Sequence, residues 1–216
     1  KLKGMLNKTR ELGINFLDTA PAYGDSEERI GRVLSNRSDW IICTKVGEEF
    51  ANGKSSFNFS GRHAQKSIQR SLKNLKTDYL DIVLVHSNGD DEAIIDNTDC
   101  LETLARLKEK GIVRAYGMST KTIQGGIRAT DLTDVVMVTL NLSNKKDLPV
   151  IKSALLKNKG VLLKKALNSG HFSEYSHEQN LNFVMGISGV TSIVVGTINQ
   201  EHLATNVSII NSAYSK

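Results

Sequence analysis

Asp18 and Tyr23 stand five residues apart in the stretch Ile14-Asn-Phe-Leu-Asp-Thr-Ala-Pro-Ala-Tyr-Gly24. Asp18 closes an apolar run that reads as a buried strand, and Tyr23 follows in a short loop containing Pro21 and Gly24. Lys45 and His86 recur at the ends of the next two strand-like runs. A carboxylate, a phenol, an ammonium and an imidazole at three consecutive strand ends suit proton transfer. A tyrosine titrates near about 10, too high for efficient acid catalysis at neutral pH unless it is tuned. A nearby ammonium favours phenolate and lowers that value, and Lys45 is placed to act so. Lys45 needs an anion to stay charged in a dry pocket, which Asp18 supplies. His86 is placed to hydrogen-bond a substrate carbonyl or to help protonate the phenol. Together the four suit protonation of a carbonyl oxygen as hydride arrives. Taken singly, each also reads as structure: Asp18 as a turn cap, Tyr23 as a loop ring packed on its apolar side, Lys45 as an exposed strand-end lysine and His86 as a satisfied core histidine. One histidine, one carboxylate and an amine make a poor metal ligand set, so no metal site is expected.

The elements that must position these groups alternate. Strand-like runs cover Ile14–Thr19, Trp40–Val46, Asp81–Ser87, Val113–Thr120, Asp134–Asn141, Gly160–Leu167 and Ser192–Thr197. Each is short and nearly continuously apolar, as when both faces of a sheet are covered. Helical patterns fill Leu2–Leu12, Glu27–Leu34, Arg62–Leu75, Leu101–Glu109, Pro149–Lys159 and Glu201–Tyr214. Such alternation gives a doubly wound sheet or a closed (β/α)8 barrel. No G-x-G-x-x-G follows a strand, which argues against the first. Asp18, Lys45, His86, Ser119, Asn141 and Lys164 all fall at or near carboxyl ends of strands, where a TIM barrel gathers its chemistry. No linker divides the chain, so residues 1–216 read as a single domain.

At 216 residues, 39% hydrophobic and 24% charged, the composition is that of a soluble globular protein. No apolar stretch approaches the roughly 18–20 residues of a membrane helix. Cys43 and Cys100 suggest a reducing, cytoplasmic setting without disulfides. The net charge of +5 fits an anionic small molecule such as a dinucleotide and equally a merely soluble surface. The basic residues are interspersed with acids and Trp40 is the one tryptophan, so no nucleic-acid face is expected. Oligomeric state is not legible.

The chain resembles the aldo-keto reductase superfamily. The similarity runs through Gly13–Gly31, then Ile42-Cys-Thr-Lys-Val-Gly47, Ser71–Asp81, Val83-Leu-Val-His86, Leu107–Ser119 and Val195–Leu203. The resemblance implies a (β/α)8 barrel that reduces an aldehyde or ketone with NADPH or NADH. It implies Asp18, Tyr23, Lys45 and His86 as catalytic tetrad, with Tyr23 the general acid. It further implies that Ser119 helps hold the nicotinamide carboxamide with Asn141 nearby, and that Gly196, Thr197 and Asn206 lie in the adenine-phosphate region.

The chain also departs from that pattern. Met137 stands where members usually place a glutamine for the carboxamide. Lys164-Lys165-Ala166 replaces a run whose aromatic ring stacks on the nicotinamide. The Lys164 charge can instead meet a pyrophosphate or an anionic substrate. Ile198 and Asn199 replace a serine and an arginine that grip a 2′-phosphate, which leaves NADP and NAD open. The first strand and the hairpin before it have no counterpart, and the chain opens with Lys1 inside a helix. A missing strand before Lys1 is expected, and a barrel lacking it exposes two sheet edges. The alternative reading is a cofactor-binding sensor or regulatory subunit with little turnover.

Overall fold

A computed structural model describes residues 1–170 and 175–214. Helix α1 (Leu2–Glu11) leads into β1 (Phe16–Asp18), a single 3₁₀ turn (Pro21–Tyr23), α2 (Ser26–Val33) and β2 (Ile41–Val46). A hairpin of β3 (Glu48–Ala51) and β4 (Lys54–Phe57) precedes α3 (Gly61–Leu75) and β5 (Leu80–His86). Then come α4 (Asp91–Asn97), α5 (Cys100–Glu109), β6 (Val113–Ser119), α6 (Ile123–Leu132) and β7 (Val135–Thr139). The chain continues through α7 (Leu148–Leu156), β8 (Gly160–Lys164), α8 (His177–Met185), β9 (Ser192–Ile193) and α9 (Gln200–Tyr214).

Seven strands form one sheet in the order β1-β2-β5-β6-β7-β8-β9, every pair parallel. This is the strand-and-helix succession of a (β/α)8 barrel with seven strands present, β1 and β9 being its edges among the described residues. Two apolar clusters follow from the period-2 alternation of strands. Outward-facing residues such as Ile42, Val83, Val85, Met118 and Val136 pack under the helices with Ile68, Leu104 and Ile151. Inward-facing Cys43, Leu84, Val135, Met137 and Leu162 fill the interior, joined by Phe16, Ile82, Ala115 and Val194. Gly31 lets α2 lie against α3, because a Cβ there would strike the carbonyl of Asn74.

The amino ends of the strands are tied by charge. Asp81 accepts from Arg37 Nη2 at 2.5 Å, from Arg114 Nη1 at 3.2 Å and from the Ile42 amide at 3.0 Å. Both guanidinium carbons lie over the Tyr79 ring, 4.6 Å and 3.8 Å from its centre. That end of the barrel is built for stability, and the opposite end is left for chemistry.

Several segments differ from the sequence expectation, among them α6 and α8, which no helical pattern covered. Gly47–Gly61, which no strand or helix pattern of the sequence covers, holds the antiparallel hairpin β3–β4, turned at Asn52 and Gly53 with positive φ of 53° and 76°. An Asn-Gly pair with both φ positive is the two-residue hairpin turn that matches strand twist. Ser87–Thr98, likewise outside those patterns but for Ser87, contains α4, which begins with Asp91 and Glu92 in its first turn. The Ser192–Thr197 run is a strand only over Ser192–Ile193, and the remainder turns away to line the cleft described next.

Candidate active site

The inward-facing residue nearest the carboxyl end changes from apolar to polar on strand after strand. Phe16 gives way to Asp18 on β1, Cys43 to Lys45 on β2, Leu84 to His86 on β5, Gly117 to Ser119 on β6 and Leu162 to Lys164 on β8. Parallel register sets His86 beside Ser119 and Thr139 beside Lys164. A cleft of about 1150 Å³ opens above this layer, lined by all five polar residues and by Tyr23.

Lys45 is 1% exposed and donates to Asp18 Oδ1 at 2.7 Å, Asp18 Oδ2 at 2.8 Å and the Thr19 carbonyl at 2.9 Å. All three ammonium protons are thus engaged. Burial, the largest single influence, pushes this ammonium down, but Asp18 together with Cys43 and Tyr23 outweighs it, and the lysine is held above its ordinary value. Its Nζ sits 4.9 Å from the centre of the Tyr23 ring. The Tyr23 ring meets the His86 imidazole edge-on, centroids 6.2 Å apart. The phenol is raised above its ordinary value by burial; Lys45 pulls down and Asp18 pushes up. The lowering expected from Lys45 is therefore present but outweighed.

His86 is pushed down to about 4, first by burial and then by Lys45, Lys164 and Lys121, against the pull of Glu48. Its Nδ1 lies 2.7 Å from Glu48 Oε2, a close contact that is not a hydrogen bond. Lys164 donates to Ser119 Oγ at 2.8 Å and to the Thr120 carbonyl at 3.1 Å. Burial brings it to about 8, with Lys165 and Lys121 adding repulsion and Asp147 opposing. Lys121 itself is held at the rim by backbone: Asp91 Oδ2 accepts from the amides of Lys121 and Thr122.

Ser119, Asn141, Lys164, Gly196, Thr197 and Asn206 all line the cleft. Asn199 does not: it lines a separate hollow of about 530 Å³ with Lys1 and Ile198. The turn after β9 points its side chain away, where Asn199 Oδ1 instead accepts from the Glu201 and His202 amides at the start of α9. Asn141 donates to the Lys165 carbonyl at 2.9 Å, while its Oδ1 is buried and unpartnered. Asp147 Oδ2 accepts from the Thr139 amide, and its Oδ1 is likewise unpartnered. Two orphaned acceptors and a spare Lys164 proton in one cleft suit a ligand rich in hydroxyl, amide and phosphate groups. The volume exceeds the roughly 300–1,000 Å³ of small-molecule pockets, which fits a dinucleotide with a small substrate beside it. Sequence reasoning missed Glu48, Lys121 and Asp147. Only the Asn52-Gly53 turn signalled the hairpin that carries Glu48. Among the described residues, no cluster could hold a metal and no helix is long and apolar enough to cross a membrane.

Comparison with known proteins agrees with this fold. YqkF of Bacillus subtilis, described as an uncharacterized oxidoreductase, is 27% identical over 98% of this chain and 83% of its own length. D-arabinose 1-dehydrogenase of Saccharomyces cerevisiae is 40% identical over 50% of this chain, and the match spans about a third (32%) of that protein. The crystal structure of PA4992 from Pseudomonas aeruginosa superposes with a TM-score of 0.93 at 45% identity, covering 99% of this chain and 84% of that one. The model of the aldo/keto reductase family matches residues 1–184. With its parallel barrel strands and polar cleft at their carboxyl ends, the chain belongs to the aldo/keto reductase family.

Proposed function

We propose that this protein reduces an aldehyde or ketone to the alcohol with NADPH or NADH. The observation that carries the reading is the buried Lys45, gripped by Asp18 and set 4.9 Å from the Tyr23 ring, with His86 edge-on at 6.2 Å. The nicotinamide, when bound, supplies the hydride to the carbonyl carbon. Tyr23 gives its hydroxyl proton to the carbonyl oxygen. Lys45 stabilises the phenolate left behind, and Asp18 keeps Lys45 charged. Solvent then restores the tyrosine proton.

Ser119, Asn141, Lys164, Gly196, Thr197 and Asn206 are the residues we assign to the cofactor. Lys164 would meet its phosphates, and Asn141 Oδ1, buried and unpartnered, would accept from one of its amide or hydroxyl groups. The polar rim and the similarity to an enzyme named for D-arabinose favour a small polar carbonyl compound. Two free, buried thiols suit a cytoplasmic setting.

A second reading is a cofactor-binding sensor or regulatory subunit. One observation favours it: Lys164 already occupies the Ser119 hydroxyl. The deciding experiment titrates the protein with NADPH and NADH by fluorescence, then follows nicotinamide absorbance with small aldehydes. Tyr23-dependent oxidation of the cofactor supports the reductase. Tight binding without turnover supports the sensor. Absence of binding defeats both.

A further inference from the structure

Five lysines line the cleft against two aspartates, and one of those, Asp18, is taken by Lys45. The surplus positive charge lies on two sides of the opening. Lys164 stands on β8, the side we assign to the cofactor, with protons on Ser119 Oγ and the Thr120 carbonyl. Lys121 follows β6 but reaches the other way. Its stem passes Gly89 in the loop after β5, where a Cβ on the glycine would lie 3.9 Å from Lys121 Cδ. Its ammonium then sits 6.0 Å from the centre of the Phe57 ring, on β4 of the hairpin. The charge therefore stands between the loop that follows His86 and the hairpin whose Glu48 abuts His86, and it is felt at that imidazole. The backbone beneath it is fixed: Asp91 Oδ2 accepts from the Lys121 and Thr122 amides at 2.9 Å and 2.7 Å, and Lys146 Nζ lies 3.5 Å from the Lys121 carbonyl. Asp91 is fully engaged there, since its other oxygen accepts from the Ser87 hydroxyl. Among the described residues, no carboxylate pairs with the Lys121 ammonium, which is exposed at the rim.

We propose that Lys121 is a specificity-determining residue that meets a carboxylate or phosphate on the substrate, so that this protein acts on small aldehydes carrying an anionic group a few carbons from the carbonyl. This rests on the carbonyl-reductase reading for the reaction but not for the anion site. With the carbonyl oxygen at Tyr23 and His86, the far end of a short aldehyde extends toward the mouth, where Lys121 and the hairpin stand. An ammonium is a compact donor that serves carboxylate and phosphate oxygens alike. A charge-assisted hydrogen bond there is stronger than one between neutral groups, so it favours the anionic aldehyde over a neutral one of the same length. The cation-lined opening also draws anions in from solution. The Phe57 ring beside the ammonium supports it without neutralising it.

The test compares substrates that differ by an anionic group: glyceraldehyde 3-phosphate against glyceraldehyde, and succinic semialdehyde against butanal. With NADPH, the wild type should favour the anionic member of at least one pair in kcat/KM by about tenfold or more, the scale of one hydrogen bond to a charged group. The pair that shows it tells phosphate from carboxylate. Lys121→Met should remove most of that preference, Lys121→Arg should keep it, and added salt should shrink it. A second readout needs no turnover: calorimetric titration of the protein, with and without NADPH, with glycerol 3-phosphate and 4-hydroxybutanoate, the alcohols that reduction would give. At least one should bind more tightly than glycerol, and Lys121→Met should lose that advantage. A wild type that neither prefers nor binds the anions overturns the proposal. So does a preference that survives in Lys121→Met. A Lys121→Met protein that loses NADPH affinity as much as selectivity overturns it too, by moving Lys121 to the cofactor. A protein that binds either alcohol through Lys121 yet reduces no aldehyde keeps the anion site and defeats the reductase reading instead.

Discussion

At the scale of single residues, the site rests on a buried ion pair whose members are costly to separate. Removing one partner of such a pair leaves an uncompensated charge, at about 3–5 kcal/mol. Lys45→Met is therefore expected to lower the thermal midpoint as well as activity, and a melting curve checks the first independently of the second. Asp18→Asn should cost less stability, because the Thr19 carbonyl and the amide oxygen still receive two of the ammonium protons. Tyr23→Phe removes only the hydroxyl of a half-exposed ring, 47% accessible. It should leave folding and cofactor binding intact while turnover drops about 10²–10⁴-fold, the usual scale for a lost acid. Loss of cofactor binding in that variant, by fluorescence titration, would count against the role given to Tyr23.

At the scale of elements, β8 and the hairpin after β2 decide what the cleft attracts. Lys164 at the end of β8 titrates at about 8, so it loses its charge as pH rises through that value. An anionic ligand favours the charged form, so binding takes up a proton in this range. NADPH affinity should weaken between about pH 7 and 9, and Lys164→Met should both weaken binding at pH 7 and flatten that dependence. Titrations across the range check it. Gly47 at the root of the hairpin adopts a left-handed conformation under the Phe59 ring. Gly47→Ala should destabilise by about 1–3 kcal/mol, the usual scale of overpacking, and displace Glu48 from His86. Chemical denaturation measures the first effect and the His86 NMR signal the second.

At the scale of the whole molecule, the fold keeps a cluster of cations around one histidine that is neutral at physiological pH. His86 has its pKa lowered from 6.5 to about 4 in the folded state. The unfolded chain therefore binds more protons between those values. The stability that His86 contributes is fully present above pH 6.5 and is lost as pH falls toward 4. The loss is on the order of 3 kcal/mol before coupling to Glu48 is counted. Replacement of His86 by Gln should remove that part of the acid sensitivity, as read from denaturant midpoints at pH 4.5 and 7. Among the described residues, β1 and β9 are the edges of the sheet.

Much of this was written in the order of residues. Nearly continuous apolar runs separated by amphipathic stretches specified a parallel sheet under helices. The polar residue ending each run marked the catalytic end, because a period of two carries the inward face from core to cleft within one strand. The hairpin was not read from the sequence, although Asn52-Gly53 marks its turn, because its polar strands lack the apolar alternation that advertises a buried sheet. Helix α4 was hidden for a related reason: its seven residues are too few for periodicity to show. Contacts between distant segments were decided only in three dimensions. The sequence holds Lys45, Asp18 and Tyr23 as types and spacings, but burial settles whether the phenol is lowered or raised. It offers Lys164 as a strand-end cation, but only packing turns that cation onto Ser119. It gives no sign that Asn199 faces away from the cleft or that Glu48 meets His86. Local pattern encodes which face of an element is buried, whereas charge and proton affinity depend on neighbours brought from elsewhere in the chain.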